Sequence, residues 1–130
     1  MEELIRELQE KYEESQGMEE RLNLVEQQIG ELQEFDINLQ ALNENESKEM
    51  LASLGKGVYI PAEIKSKELY VGVGAGIFVR KNPQESRDVI KEQLSGLLRM
   101  RNETSMAIEM LNREMQELIE KIEAKKPRNT

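Results

Sequence analysis

The sequence predicts an α+β fold, a long antiparallel two-helix coiled coil with two β-hairpins at its base. At both ends of the chain, apolar residues recur at alternating intervals of three and four, the spacing of one coiled-coil seam. The middle changes to the period of two that half-buried strands show, and it holds five of the eight glycines. Because this short insert brings the neighbouring helix ends together, the helices are expected to run antiparallel.

The first helix is predicted over residues 1–46. Its most regular seam positions are Met18, Leu22, Val25, Ile29 and Leu32. Beyond them the seam is expected to continue through Phe35, Leu39 and Leu42. The step from Leu32 to Phe35 is three residues where four was due, which predicts a stammer that overwinds the coil locally.

The second helix is predicted over 83–126. Its seam alternates steps of four and three through Ile90, Leu94, Leu97, Arg101, Thr104, Ile108, Leu111, Met115, Leu118 and Ile122. Asn82 suits the N-cap, Pro83 the first helical position and Glu85 the third position of a near capping box. Pro127 marks the predicted end, and 127–130 form a tail. Each helix would be roughly 60 to 70 Å long.

Four seam positions are polar, namely Lys11, Ser15, Arg101 and Thr104. Polar seam residues commonly fix helix alignment at a cost in stability, which is the favoured interpretation. The alternative is deliberate loosening, which would leave the apolar residues before Lys11 poorly buried and available for another contact.

Two hairpins are predicted within 47–82, over residues 50–64 and 69–80, with 65–68 joining them. Glycines at Gly55-Lys56-Gly57 and Gly74-Ala75-Gly76 accept the positive φ of tight turns. Pro61 cannot donate to a ladder, so it indicates an edge strand. The glycines between 71 and 77 do not match a dinucleotide-binding loop, because Ile77 stands where the last glycine belongs.

Composition excludes several classes of function. The net charge of −8 and the pI near 4.8 have the wrong sign for neutralising phosphates, so no nucleic acid partner is expected. The chain has neither cysteine nor histidine, which removes disulfides and the commonest metal ligand and general base. No metal site, cofactor or catalytic group is expected. No apolar run reaches the length of a membrane span, and a cytoplasmic location without a membrane partner is expected.

Negative charge is concentrated in the first helix, where residues 1–46 hold 14 acidic and three basic side chains. In the antiparallel arrangement the acidic N-terminal tip is expected to pair with Lys121, Lys125, Lys126 and Arg128. Each exposed pair would contribute only about 0.2 to 1 kcal/mol.

The order helix, hairpin, hairpin, helix, with the segments LGKGVYIPAEI and LYVGVGAGIFVRK, resembles the alpha-class subunit of archaeal-type prefoldin. The resemblance implies an assembly of two alpha and four beta subunits whose hairpins form a β-barrel platform. It also implies ATP-independent capture of unfolded client proteins by the coiled-coil tips and their transfer to a group II chaperonin. The alternative is a structural coiled-coil adaptor or tether between specific folded partners.

On the chaperone hypothesis, the client-binding residues are expected to be Met1, Leu4, Ile5, Leu8, Tyr12, Leu118, Ile119 and Ile122. Met106 and Met110 form a possible secondary contact, since they share one helix face away from the seam and flexible Met suits varied partners. Oligomerisation is expected to use the strand residues Val58, Ile60, Ile64, Leu69, Val71, Val73, Ile77 and Val79.

Overall fold

The computed structural model describes residues 1–126. The elements follow one another along the chain in the order α1 (Glu2–Glu44), β1 (Glu49–Gly55), β2 (Val58–Glu63), β3 (Leu69–Gly74), β4 (Ile77–Lys81) and α2 (Pro83–Lys125). The predicted combination of two long helices and two hairpins is confirmed. The predicted tail at 127–130, with Pro127 and Arg128, lies outside the described residues.

The chain forms two compact units. The helical unit contains residues 1–30 and 95–126, and the hairpin unit contains residues 31–94. Within the described residues, no helix is long and apolar enough to cross a membrane.

In the helical unit, the two helices pack antiparallel through their apolar seams. The Nζ atom of Lys11, near the start of α1, lies 2.8 Å from Oε2 of Glu114, near the end of α2. The buried apolar side chains are Val25, Ile29, Ile108, Leu111 and Leu118. All ten predicted seam positions of α2 are buried or half-buried, so its predicted heptad frame is confirmed.

The predicted stammer in α1 is wrong. Phe35 is exposed, and Asp36 takes the seam position between Leu32 and Leu39, which preserves the steps of four and three. Asp36 is tolerated there because Arg87 of α2 donates to it, with 2.9 Å between Nε and Oδ1. These residues belong to the hairpin unit, whose buried apolar side chains are Leu39 and Ile90.

Each hairpin is a separate two-stranded antiparallel sheet. Both turns have positive φ at their two central residues, Lys56 with Gly57 and Ala75 with Gly76. Such turns match the right-handed twist of the strands they connect. One strand residue bulges immediately before each turn, between Ser53 and Gly55 and between Gly72 and Gly74.

The start of α2 has the predicted cap. The Oδ1 atom of Asn82 accepts a hydrogen bond from the backbone N–H of Glu85 at 2.7 Å, while its amide donates to the Glu85 carboxylate at 3.0 Å. Pro83 occupies the first helical position, where its missing N–H has no partner to lose. The cap thus fixes where the chain passes from β4 into α2.

Candidate functional site

An open groove of about 690 Å³ crosses the surface of the helical unit. Its apolar lining comes from Leu8 and Tyr12 of α1 and from Met115 and Ile119 of α2. Polar side chains border it, namely Gln9, Glu13, Asn112 and Gln116. An apolar floor between polar rims can take up an apolar segment of another protein while the rims remain hydrated.

The two helices are also tied together by the ion pair between Lys11 and Glu114, both of which are half-buried. The hydrogen bond to Glu114, assisted by its charge, raises the pKa of Lys11 above its ordinary value. The pair holds α1 and α2 together beside the groove.

The predicted client-binding residues lie in different environments. The groove brings together Leu8, Tyr12 and Ile119, of which Tyr12 is the most exposed at 57%. Met1 and Ile5 are exposed but do not line it, whereas Leu4 and Ile122 are half-buried in the seam. Leu118 is only 5% exposed, so its side chain belongs to the core of the helical unit.

Met115 lines the groove but was predicted only as a seam residue. It is half-buried, so one side chain contributes both to the seam and to the groove surface. The sequence offered an indication of this double role, because Met115 is one helical turn before Ile119 and both apolar side chains project from neighbouring faces.

The polar seam positions are well packed. Ser15 is 3% exposed and Thr104 is buried, while Lys11 and Arg101 are half-buried. Burial of Ser15 together with the ion pair of Lys11 supports the alignment interpretation of these positions. Before Lys11, the apolar side chains of Met1 and Ile5 are exposed, as the loosening interpretation expects.

The predicted ion pairing at the tip is wrong for its three lysines, and its fourth residue, Arg128, lies outside the described residues. Among residues 1–126, no ion pair joins the acidic start of α1 to Lys121, Lys125 or Lys126. The pair that forms has the opposite polarity, because α1 supplies the lysine and α2 the glutamate. The exposed lysines gain little from fixed partners, since ordering a long side chain in water costs about as much as a surface pair returns.

Met106 and Met110 project into solvent from α2, with 69% and 63% of their surfaces exposed. Neither lines the groove. They form a separate apolar pair on the helical unit.

The hairpin unit exposes most of the predicted oligomerisation residues. Six are exposed, namely Val58, Ile60, Val71, Val73, Ile77 and Val79, while Ile64 and Leu69 are half-buried. Apolar side chains on isolated two-stranded ladders lack cover, and the outer edges retain unpaired backbone groups. The strands are thus suited to contact a further layer or strand.

A second apolar depression, of about 400 Å³, lies within the hairpin unit. Phe35 and Leu39 of α1, Val71 of β3 and Val89 of α2 contribute to its lining. The exposed Phe35 ring, which is predicted in the seam, belongs to this surface instead. The hydroxyl of Ser86, also part of the lining, is buried without a hydrogen-bond partner.

Among the described residues, no group of three or more acidic side chains is placed to hold a metal ion. The ion pairs of Lys11 and Arg87 each join α1 to α2. The one acidic side chain in the lining of the groove is that of Glu13.

Comparison with known proteins agrees with this architecture. Residues 2–127 match the family described as prefoldin subunit. A cryo-EM structure of filamentous PFD from Methanocaldococcus jannaschii is similar over 93% of this chain and 99% of that chain, with a TM-score of 0.69 and 21% identity. A search of curated proteins gave no match. The fold and the family match over nearly the whole chain together show that it belongs to the prefoldin family, which consists of chaperone subunits without enzymatic activity.

Proposed function

We propose that this chain is an alpha-class prefoldin subunit that holds unfolded proteins without ATP and transfers them to a group II chaperonin in the cytoplasm. The observation that carries the proposal is the groove with Leu8, Tyr12, Met115 and Ile119 in its lining. The presence of two hairpins supports the alpha class, since the beta class has one.

The groove suits weak and unselective capture. Its lining is a flexible methionine, two aliphatic side chains and one aromatic ring, which can adapt to varied apolar segments. Burying one such client side chain contributes about 1.5 to 3 kcal/mol, so a single groove binds weakly. Several arms acting on one client raise the total affinity through effective concentration, and release then needs no nucleotide.

The acidic surface of α1 complements this role. Residues 1–30 hold nine glutamates and only three basic residues, and most of these charges are exposed. Like charges keep empty arms apart and soluble, while the uncharged lining remains free for clients. A chaperone that exposes apolar side chains needs such protection against self-association.

The assembly is proposed to contain two alpha and four beta subunits joined by their hairpins. Exposed strand residues on both hairpins support this, because a two-stranded hairpin is at best marginally stable in water. The similar protein from M. jannaschii is described as filamentous, so a filament is the second form of assembly proposed.

The proposal is tested by measuring protection of a chemically unfolded protein from aggregation. The assembled complex carrying Tyr12→Ser and Ile119→Ser should lose most of the protection shown by the wild-type complex, followed by light scattering without ATP. The control is Leu24→Ser, which removes an apolar side chain of the helical unit outside the groove that is 62% exposed, against 57% for Tyr12 and 37% for Ile119. It should protect as the wild type does.

Protection that survives in the groove variant would move the client site to Met106 and Met110, and replacing both with serine would then be required to abolish it. Absence of protection by the wild-type complex would favour the adaptor function. Transfer is tested by adding a group II chaperonin to the loaded complex and measuring how fast labelled client appears in the chaperonin fraction.

A further inference from the structure

The groove of the helical unit carries one charged side chain. Glu13 of α1 borders it together with Gln9, Asn112 and Gln116, whose side chains are neutral. Among residues 1–126, the Glu13 carboxylate has no ion-pair partner. None of the described residues in the lining is basic. A segment that enters the groove therefore meets an uncompensated negative charge at its rim.

The basic side chains in this part of the helical unit do not offset Glu13. Lys11 is held by α2, because its Nζ atom donates to Oε2 of Glu114 at 2.8 Å. Arg6 and Arg113 are exposed and do not line the groove. The charge of Lys11 is thus balanced by Glu114, and Glu13 is left without a basic neighbour in the lining.

The surface around the groove is acidic on both helices. Residues 1–20 and 105–126 contain 13 glutamates against six lysines and arginines. All of these charged side chains are exposed except Lys11 and Glu114, which pair with each other. Charges within a Debye length, about 8 Å at physiological ionic strength, add to the field at the groove. That field favours a cationic partner and opposes an anionic one.

Tyr12 offers a second contact for a cation. Its side chain lines the groove and is 57% exposed. An aromatic face attracts an ammonium or guanidinium group that lies within about 6 Å of the ring centre. Within residues 1–126, the one cation over an aromatic ring is Arg80 over Tyr70, so no cation of the chain covers the Tyr12 ring.

An apolar lining with an acidic rim suits the side chains of lysine and arginine. Both have a long alkyl stem that can lie along apolar surface while the charged head stays in water. In this groove the stem can contact Leu8 and Ile119 while the head reaches the Glu13 carboxylate or the Tyr12 ring. An acidic side chain at the same place would meet like charges, which costs binding free energy.

We propose that the groove selects apolar segments of unfolded proteins that are flanked by lysine or arginine and discriminates against those flanked by acidic residues. Glu13 and Tyr12 determine this selectivity. The inference rests on the proposed function, since it takes the groove as the client site. Natural sequences place charged residues beside aggregation-prone apolar segments, so the sign of the flanking charge is a feature by which clients differ.

The test measures the binding of labelled peptides to the full chain by fluorescence anisotropy. The peptides share one apolar segment and carry arginine, glutamine or glutamate at both ends. At about 0.1 M salt, affinity should fall in that order, with at least about a tenfold difference between the arginine and the glutamate peptide. At about 1 M salt the difference should shrink to about twofold, because the Debye length is then only about 3 Å. An arginine peptide whose apolar residues are replaced with serine should bind at least about tenfold more weakly than its parent.

Variants of the chain assign the selectivity to particular side chains. Glu13→Gln should reduce the ratio of arginine-peptide to glutamate-peptide affinity about threefold, and Tyr12→Leu should do the same while keeping an apolar side chain in the groove. The matched control is Glu26→Gln, which makes the same change of charge at an exposed position about 20 Å further along α1. Its ratio should equal that of the wild type, since this distance exceeds the Debye length. Far-UV circular dichroism establishes that each variant retains its helices.

Two results would overturn the inference and leave the proposed function standing: equal binding of the three peptides by the wild type, or the same ratio in Glu13→Gln as in Glu26→Gln. Equal binding of the serine peptide and its apolar parent would also overturn the inference, because general attraction between opposite charges would then hold the peptide without the groove. If no peptide binds the wild type, the groove is not a client site, and both the inference and the proposed function fail.

Discussion

The apolar side chains of the helical unit and those on the strands of the hairpin unit differ in their exposure to water. The helical unit buries a seam of its own, in which Ile29, Ile108 and Leu111 are almost inaccessible to water. In the hairpin unit, none of the strand residues is buried, and aromatic and β-branched side chains such as Phe78 and Val73 are exposed. The seam of the helical unit therefore has its apolar partner within the chain, while the strands of the hairpin unit present an apolar surface that another subunit can cover.

The largest expected effect contrasts one side chain from each unit in the isolated chain. Leu111→Ala should lower the free energy of unfolding by about 2 to 4 kcal/mol, because it leaves a cavity in the seam. Val73→Ala should change it by less than about 0.5 kcal/mol, since the side chain is already exposed. Urea unfolding followed by circular dichroism measures both. Equal losses would show that the hairpin unit is covered within the chain.

A smaller effect is expected at the buried polar position of the helical unit. Ser15→Leu should raise the free energy of unfolding by about 1 to 2 kcal/mol, since leucine extends the apolar seam where serine is 3% exposed. The exposed neighbour variant Gln16→Leu should give no gain and serves as control. A destabilised Ser15→Leu chain would mean that the helices there are too close for a larger side chain.

The smallest effect concerns the two turns of the hairpin unit. Ala75 has a φ of 52°, a left-handed conformation that alanine adopts at a cost and asparagine tolerates better. Ala75→Asn should therefore stabilise the second hairpin by about 0.5 kcal/mol, while Ala75→Val should destabilise it. Thermal unfolding of the isolated chain measures the difference. No change in either variant would show that the hairpin turn is not formed in the isolated chain.

Local rules account for most of what the sequence predicted correctly. The seam of α2, the cap at Asn82 and both glycine turns depend on residues close together in the chain, so periodicity and turn chemistry suffice to identify them. The predicted frame of α1 at Phe35 is wrong because Phe35, although apolar, comes three residues after Leu32, where the repeat requires four. Keeping the four-residue step would have placed Asp36 in the seam, but its stabilising partner Arg87 is 51 residues away.

The candidate site was only partly predictable for the same reason. Which apolar side chains line one groove depends on how α1 and α2 are rotated against each other, and this rotation is not encoded in either pattern alone. Three of the predicted client-binding residues line the groove, namely Leu8, Tyr12 and Ile119. Leu118 is buried in the seam instead, and Met115, which was not predicted as a client-binding residue, lines the groove.

The ion pairs in the seams have a consequence for how the helices find their correct alignment. A coiled coil displaced by one heptad keeps its apolar positions in step, so hydrophobic contact alone penalises such an error weakly. With α2 displaced so that each residue of α1 meets a position seven further along, Lys11 would face Lys121 and Asp36 would face Leu94. The displaced pairing would thus bring two lysines together and bury a lone carboxylate, and both cost free energy. Lys11 and Asp36, one in each unit, therefore each disfavour a one-heptad register shift that the repeating apolar pattern alone would allow.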